Sequence, residues 1–211
     1  MTVLYKYLRK EHTHLLLTRG NMRIGTLYEY RNTEIHGEVI GDNTEGYKTR
    51  FMELNGAHVW TSETQPEFSR GFLKIAPGTK LTVRGNGTLT EPHESVNYYL
   101  FCATKVFNKE AMDEFKYDAC IVIEHPEKFF RAISRTIRHQ AAFEGIFNCQ
   151  YIGRRISHDV DPGIPPAIIK DPTYKNQQEV RGLWKPLKAN PSPMIINCPD
   201  AARYCSMYKR R

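Results

Sequence analysis

The chain has 211 residues, 40% of them hydrophobic and 25% charged, the balance of an ordinary globular protein with enough apolar content for a sizeable core. Its formal net charge of +7 tilts the choice of partner toward a polyanion, either a nucleic acid or a phosphate-rich ligand. No apolar run approaches the roughly 18 residues that span a bilayer, and Met1-Thr2-Val3-Leu4-Tyr5-Lys6 lacks the apolar stretch of a signal peptide, so the expectation is a cytoplasmic protein with no membrane partner.

Val3 to Leu8 reads as a short strand. A helix is predicted from about Arg9 to Arg19, with Leu15 to Leu17 inward and Gly20 as its stop. Asn21 to Tyr30 alternates in part, through Met22, Ile24 and Leu27, and predicts one or two short strands with a turn at Gly25. Asn32 to Gly46, rich in glycine and carboxylates, predicts a loop or a lid. From Tyr47 to Val83 the pattern is β, with strands over Lys48–Leu54, His58–Trp60, Phe72–Ile75 and Lys80–Val83 and a hairpin turn at Asn55-Gly56. Gly85-Asn86-Gly87 marks another turn. Val96 to Thr104 and Tyr117 to Glu124 are dense in β-formers and read as buried central strands, with one or two helical turns between them at Asn108 to Phe115.

Pro126 opens the clearest helix, running to about Gln140, with Glu127 in its first turn and Phe129, Phe130, Ile133 and Ile137 as its apolar stripe. Strand signals return around Cys149-Gln150-Tyr151-Ile152, over Tyr174 to Leu187 and at Met194-Ile195-Ile196, with a Pro-rich connector from Asp161 to Pro172. There are no internal repeats. Many strands with two substantial helices make a single α+β domain over 1–211. The five cysteines form no Cys-x-x-Cys pair. Cys102 and Cys120 lie in apolar runs and read as buried free thiols, so a reducing compartment is expected and a thiolate metal site is not.

The most informative stretch is Asn176-Gln177-Gln178-Glu179-Val180-Arg181 followed by Gly182-Leu183-Trp184. On a strand alternate residues share a face, so Gln177, Glu179 and Arg181 point one way and Gln178, Val180 and Gly182 the other. A row of amide, carboxylate and guanidinium is costly to bury. Two readings stay open on spacing alone. The row is an exposed strand face on which Glu179 pairs with Arg181 or a cross-strand lysine. Or it lines a polar site where Glu179 stabilises positive charge developing on a sugar and Gln177 orients a substrate.

In order along the chain, Leu4-Tyr5-Lys6-Tyr7, Met22-Arg23-Ile24-Gly25-Thr26-Leu27, Tyr99-Leu100-Phe101-Cys102-Ala103-Thr104 and Gln177-Gln178-Glu179 resemble elements of the ADP-ribosyltransferase superfamily. The chain looks closest to a family of bacterial proteins that open with Leu-Tyr-Lys-Tyr and close with a Glu-x-Glu-x-Arg or similar strand. The resemblance implies a split core of two small antiparallel-rich sheets with flanking helices and NAD, as substrate, in the cleft between them. It implies that Tyr5, Lys6 and Tyr7 of the first strand hold NAD, that Thr104 faces the nicotinamide, and that Glu179 is the catalytic acid with Gln177 beside it. The pyrophosphate of NAD wants cations or backbone N–H groups, for which Lys6, Arg23 and Arg31 are candidates. The chain departs from the superfamily pattern in its first strand, which carries no plain Arg or His, and in Cys-Ala-Thr where Ser-Thr-Ser is usual.

Other constellations carry less. Tyr28-Glu29-Tyr30-Arg31 reads either as aromatics around a flat ring with Arg31 on phosphate, or as an amphipathic strand whose rings cap the core. The acidic run Glu38 to Gly46 reads as a gating lid or a solvated loop, without EF-hand spacing. His158-Asp159-Val160-Asp161 lacks the further ligands of a zinc site and reads as a turn. Arg131, Arg135 and Arg138, with Lys128 nearby, lie on the polar side of the helix and read either as a track for phosphates or as a solvated face. The composite expectation is NAD-dependent ADP-ribosyl transfer to a macromolecular acceptor, a nucleic acid in preference to a protein. Arg181 then holds Glu179 or a phosphate, and Arg131, Arg135 and Arg138 hold the acceptor. The alternatives are a non-catalytic nucleic-acid-binding module using helix 126–140, and a nuclease in which His14, His58 or His158 meets a Lys or Glu.

Overall fold

Short runs of β-branched and aromatic residues, broken by Gly, Pro and Asn, give a chain of short strands rather than long helices. The computed structural model describes residues 3–36 and 41–209. Strand β1 (Leu4–Leu8) leads into helix α1 (Lys10–Arg19), which stops at Gly20. That residue sits at φ +62°, and its N–H bonds back to the Leu16 carbonyl at 2.9 Å. Strand β2 (Asn21–Thr26) is followed by a 3₁₀ turn (Tyr28–Arg31) and the single turn α2 (Thr33–His36). Next come β3 (Tyr47–Leu54), β4 (Ala57–Trp60), α3 (Glu67–Arg70), β5 (Leu81–Arg84), β6 (Gly87–Glu94) and β7 (Tyr99–Thr104). Helix α4 (Lys109–Glu114) is N-capped by the Asn108 side chain, which accepts from the Glu110 and Ala111 amides. Then follow β8 (Ala119–Ile123), α5 (Pro126–Thr136), β9 (Ala141–Asn148) and the short β10 (Gln150–Tyr151), β11 (Arg155–Ser157) and β12 (Ile169–Lys170). The chain closes with β13 (Glu179–Pro186), β14 (Met194–Asn197), α6 (Pro199–Ala202) and β15 (Cys205–Met207).

The eight-stranded main sheet is antiparallel throughout and runs β14-β2-β7-β1-β8-β15, with β13 on the other edge of β7 and β9 beyond it. Strand β7 is its hub. Along one edge it pairs with β13 over its full length, from Tyr99 opposite Trp184 to Thr104 opposite Glu179. Its other edge is shared: β2 takes Tyr99 and Leu100, β1 takes only Thr104, and among the described residues Phe101 to Ala103 have no ladder partner on that side. The sheet therefore splits between β1 and β2, and a cleft opens at the split.

The two faces of the sheet are packed differently. On one, α1, α5 and α6 cover Leu4, Ile24, Phe101, Val180 and Trp184 with Leu16, Phe129, Phe130 and Ile133. The other face carries Leu27, Leu100, Ala167 and Leu183 and, beside them, the cleft. Gly182 is required on the helical side, because a Cβ there would lie 2.2 Å from the Phe130 ring.

A long ribbon extends from this body, with β11 added in parallel along β3, Arg155 opposite Thr49. Strands β3 and β4 run antiparallel to β6 and β5 in a single register, Leu54 opposite Gly87 and Ala57 opposite Arg84. The ribbon has its own small core of Met52, Leu54, Trp60 and Phe68.

Several sequence expectations are corrected. Asn55-Gly56 does not close a hairpin, since β3 and β4 do not pair. It is an interruption in one long arm of the ribbon, facing Gly85 and Asn86, with Gly56 donating to the Asn86 side chain at 3.2 Å. Phe72–Ile75 alternates as a strand would, but finds no ladder and packs Leu73 and Ile75 on the ribbon core instead. Gly25 lies inside β2, where the Glu29 and Tyr30 side chains crowd it, rather than in a turn. Tyr28 to Arg31 is helical, not strand. Of Leu15 to Leu17 only Leu16 is buried, and Leu15 is 40% exposed, because α1 lays a narrow stripe on the sheet. The α5 helix ends at Thr136, short of Gln140. All five cysteines are free thiols, and Cys102 is half-buried rather than sealed in the core. Among the described residues no helix is long and apolar enough to cross a membrane.

Gly182→Ala is expected to lower stability by about 1–3 kcal/mol through overpacking against Phe130, read as a lowered denaturant midpoint with an unchanged slope.

Candidate functional site

The cleft at the split holds about 860 Å³ of atom-free space, its open mouth included. Three adjacent strands bring Tyr5, Thr104 and Glu179 into one cross-sheet row, Tyr5 opposite Thr104 and Thr104 opposite Glu179. The three separate motifs of the sequence therefore meet. Tyr5, Lys6, Tyr7, Arg23, Thr104, Gln177, Glu179 and Arg181 all line the cleft, joined by Tyr30, Glu45, Cys102, Phe115, Tyr117 and Lys170.

Glu179 is 8% exposed and begins β13. Its backbone is fixed by the Tyr151 hydroxyl, which accepts from its N–H at 2.6 Å, and by its carbonyl, which accepts from the Cys149 amide at 3.0 Å. Its carboxylate is bound on both sides: Arg181 Nε donates to Oε1 at 2.6 Å and Lys170 Nζ donates to Oε2 at 2.6 Å. Arg181, 3% exposed, turns its other end to Glu45 in a two-pronged pair, Nη1 to Oε1 and Nη2 to Oε2, both 2.9 Å. Its Nη1 also reaches the Ala167 carbonyl at 2.6 Å. The result is a buried chain of alternating charge, Glu45–Arg181–Glu179–Lys170, whose formal charges cancel. Burial alone would push the Glu179 carboxyl up, but the Arg181 and Lys170 charges and hydrogen bonds outweigh it and hold the group well below the usual carboxylate range. Lys170 is raised on balance, burial opposing its charge and Glu179 more than restoring it.

Gln177 reaches the same cluster by a route that strand alternation does not describe. It ends a 3₁₀ turn (Pro172–Gln177), and Gln178 then takes the left-handed conformation at φ +43°, ψ +46°. That kink puts the Gln177 amide oxygen 2.6 Å from Lys170 Nζ, so Lys170 bridges Gln177 and Glu179. Left-handed backbone at a non-glycine residue is uncommon and strained. Here it is held by the Gln178 carbonyl, which accepts from the Lys105 amide at 3.2 Å.

Glu45 belongs to the acidic segment read as a lid or a solvated loop. Glu38, Val39 and Ile40 of that segment lie outside the described residues; in the remainder Asn43 and Thr44 are exposed, but the two carboxylates are not solvated. Asp42 and Glu45 are buried; Asp42 pairs with Arg154 at 2.5 Å and Glu45 with Arg181. Arg31 is committed to the same corner. It is sandwiched between the Tyr28 and Tyr47 rings, 3.6 and 3.9 Å from their centroids, and bonds the Glu45 carbonyl and the Glu94 carboxylate. Tyr28 and Arg31 do not line the cleft, because their ring and guanidinium are spent on holding the 41–46 turn. Asp161, read as part of a turn, pairs with buried Lys48 at 2.8 Å.

Arg131, Arg135 and Arg138 are exposed, on or just after α5. That helix packs on the Phe101 side of β7, while Cys102 and Arg181 face the cleft, so these arginines lie across the sheet from the site. Among the described residues no histidine lines the cleft. His14 is exposed on α1, His58 on β4 lies 6.2 Å from the Trp60 ring, and His158 stacks on Phe68 at 5.0 Å in the ribbon core, so none of the three lies at the cleft.

Lys170 and Glu45 line the cleft without having been singled out by the sequence, whereas Tyr30 belongs to the aromatic segment that it did single out. Lys170 sits in Ile168-Ile169-Lys170-Asp171, and a single lysine closing an apolar pair was its only signal. For Glu45 the signal was present, acidic residues beside Gly46 in a basic chain, but its partner is 136 positions away.

The cleft's cations Lys6, Arg23, Lys170 and Arg181 face the carboxylates Glu45 and Glu179. Arg23 is closed on Glu29 by two bonds of 2.8 and 2.6 Å, whereas Lys6 forms no ion pair among the described residues and lies 4.9 Å from the Phe101 ring centroid. The rings of Tyr5, Tyr7, Phe115 and Tyr117 add flat apolar surface. Together they can take an anion that carries a planar ring.

Glu45→Ala leaves Arg181 underpaired inside the protein and is expected to cost about 3–5 kcal/mol, measured by chemical denaturation. The depressed Glu179 acid contributes stability that is present above its unfolded value, about pH 4.3, and is lost as pH falls toward the folded value. Wild-type unfolding free energy should therefore drop steeply below about pH 4.3, and Glu179→Gln should flatten that acid-side slope while lowering stability near neutrality.

Comparison with protein-family models, with curated proteins and with solved structures finds no match to this chain.

Proposed function

We propose that the chain is an NAD-dependent ADP-ribosyltransferase whose acceptor is a macromolecule, a nucleic acid in preference to a protein, with a split ADP-ribosyltransferase-like core. The observation that carries this reading is the row Tyr5–Thr104–Glu179 across three neighbouring strands at a cleft lined by cations and aromatic rings. Breaking the bond between nicotinamide and ribose sends its electron pair to nicotinamide and develops positive charge on the sugar. The acceptor's oxygen or nitrogen then bonds that carbon and releases a proton. A fixed carboxylate beside the sugar favours that transition state over the ground state. Glu179 supplies it, held ionised across the ordinary pH range.

The remaining residues divide the other tasks. Lys6, which among the described residues forms no ion pair, takes a phosphate, with Arg23 able to join if it loosens from Glu29. Tyr5, Tyr7 and Tyr117 offer stacking surface. Thr104 is fixed, its hydroxyl donating to the Val106 carbonyl at 3.1 Å, and so presents an oriented polar group. For Glu179 to meet the sugar, one of its two ion pairs must open. The Lys170 pair is the one able to do so, since Arg181 is locked by Glu45 while Lys170 keeps Gln177 as an alternative partner.

A second reading, a nucleotide-binding cleft without chemistry, is favoured by one observation: both Glu179 oxygens are already neutralised by cations. One experiment separates the two. NAD at about 100 times its Kd should stabilise the protein by roughly 2.7 kcal/mol, seen as a rise in melting temperature, and nicotinamide release should accompany it. Glu179→Gln should keep the thermal shift and lose release by roughly 100-fold or more. A thermal shift without release in the wild type supports the non-catalytic cleft. No shift at millimolar NAD and no release sinks both as NAD readings.

A further inference from the structure

The protein's excess positive charge is not in the cleft. Most cations of the cleft and its surroundings are neutralised within 4 Å: Arg23 by Glu29, Arg31 by Glu94, Lys48 by Asp161, Arg154 by Asp42, Lys170 by Glu179 and Arg181 by Glu45. Helix α5 is the contrast. Lys128, Arg131 and Arg135, with Arg138 in the turn that follows, are all exposed, and among the described residues none of the four forms an ion pair. The spacing of three and four residues keeps Lys128, Arg131 and Arg135 on one face of the helix, and Arg138 follows two residues past its end. Lys128 to Arg135 spans roughly 10 Å at helical rise.

The tertiary structure extends the stripe at both its end and its side. The Leu187 amide donates to the Gln140 carbonyl at 2.8 Å, which brings exposed Lys188 beside the turn that carries Arg138. Phe143 on β9 is 41% exposed. It rests on Phe130 and Trp184, with ring centroids 6.5 and 5.4 Å away, so one face is fixed on the core beneath α5 while part of the ring meets solvent. A row of unneutralised cations bordered by a fixed, exposed aromatic ring is the arrangement that tracks a phosphate backbone and stacks an unpaired base.

We propose that this ridge, on the face of the sheet opposite the cleft, docks a single-stranded nucleic acid: Lys128, Arg131, Arg135, Arg138 and Lys188 hold successive phosphates and Phe143 stacks a base. It stands apart from the chemistry proposed for Glu179, and its test contains no NAD. The full chain is titrated into fluorescein-labelled 20-nucleotide single strands of RNA and of DNA, and anisotropy is read at several salt concentrations. The wild type should bind with an affinity that falls steeply with salt. R131E/R135E/R138E should weaken binding at least tenfold and, at about 0.7 per phosphate contact on a single strand, flatten the log–log salt slope by roughly 2. R131K/R135K/R138K should keep the slope, and Phe143→Ala should weaken binding roughly 5-fold to 100-fold. If the charge-reversed chain does not melt cooperatively, R131Q/R135Q/R138Q carries the same comparison. Wild-type affinity and slope in the arginine variants overturn the proposal, as does failure of the wild type to bind either strand. Equal binding of a duplex and a single strand, unaffected by Phe143→Ala, overturns the single-strand assignment. Binding to phosphatidylserine vesicles through the same arginines, without oligonucleotide binding, assigns the ridge to a membrane surface instead.

Discussion

The buried chain Glu45–Arg181–Glu179–Lys170 is the constraint on which the rest of the structure depends. Four charged groups out of water carry a large desolvation penalty, and they are tolerated only because each is hydrogen-bonded and the signs alternate. That requirement ties together elements far apart in sequence. The turn at 41–46 must close over β13, the 3₁₀ turn before β13 must bend back through Gln178, and β12 must present Lys170. Even Arg31, stacked between two tyrosines, serves the closure by bonding the Glu45 carbonyl. The cluster specifies one arrangement of the cleft, since any slip leaves a buried charge unpaired.

The second constraint is the hydrogen-bonding of β7. A central strand normally has both edges filled, because buried backbone groups need partners. Here one edge is filled by β13 and the other is divided between β1 and β2. The divergence makes room for a ligand without removing any strand from the sheet. It also brings the ends of three strands together, so side chains on separate strands meet at one place. The face behind the split is sealed by Phe101, Phe129, Phe130 and Trp184, which gives the cleft a rigid floor. The same packing anchors α5 and leaves its arginines pointing to solvent on the far side. The cleft and the exposed arginines of α5 thus lie on opposite faces of one sheet.

Much of the main sheet was legible. The strands at Leu4, Tyr99, Ala119 and Glu179, the glycine stop of α1 and the proline start of α5 follow from local chemistry, and all stand near where their residues suggest. Errors cluster where pairing is long-range. Asn55-Gly56 has the composition of a hairpin turn, but the ribbon register is set by partners some thirty residues away, and it runs straight through that turn. Phe72 to Ile75 alternates correctly and lacks only a neighbour. Gln177 was placed beside Glu179 for the wrong reason: strand alternation suggested it, whereas a left-handed residue accomplishes it.

By itself the sequence determined the local elements, the excess of positive charge and three short motifs in a particular order. Those properties depend on neighbours within a few positions, through propensity, capping and periodicity. Tertiary structure alone decided that Tyr5, Thr104 and Glu179 lie in one row, that Glu45 and Lys170 belong with them, and that Tyr28 and Arg31 do not. It also decided that the unneutralised arginines face away from the cleft. The physical reason is that a charge's role is set by what neutralises it. Here the neutralising partner is as close as 2 positions away, for Arg181 and Glu179, or as far as 136, for Arg181 and Glu45.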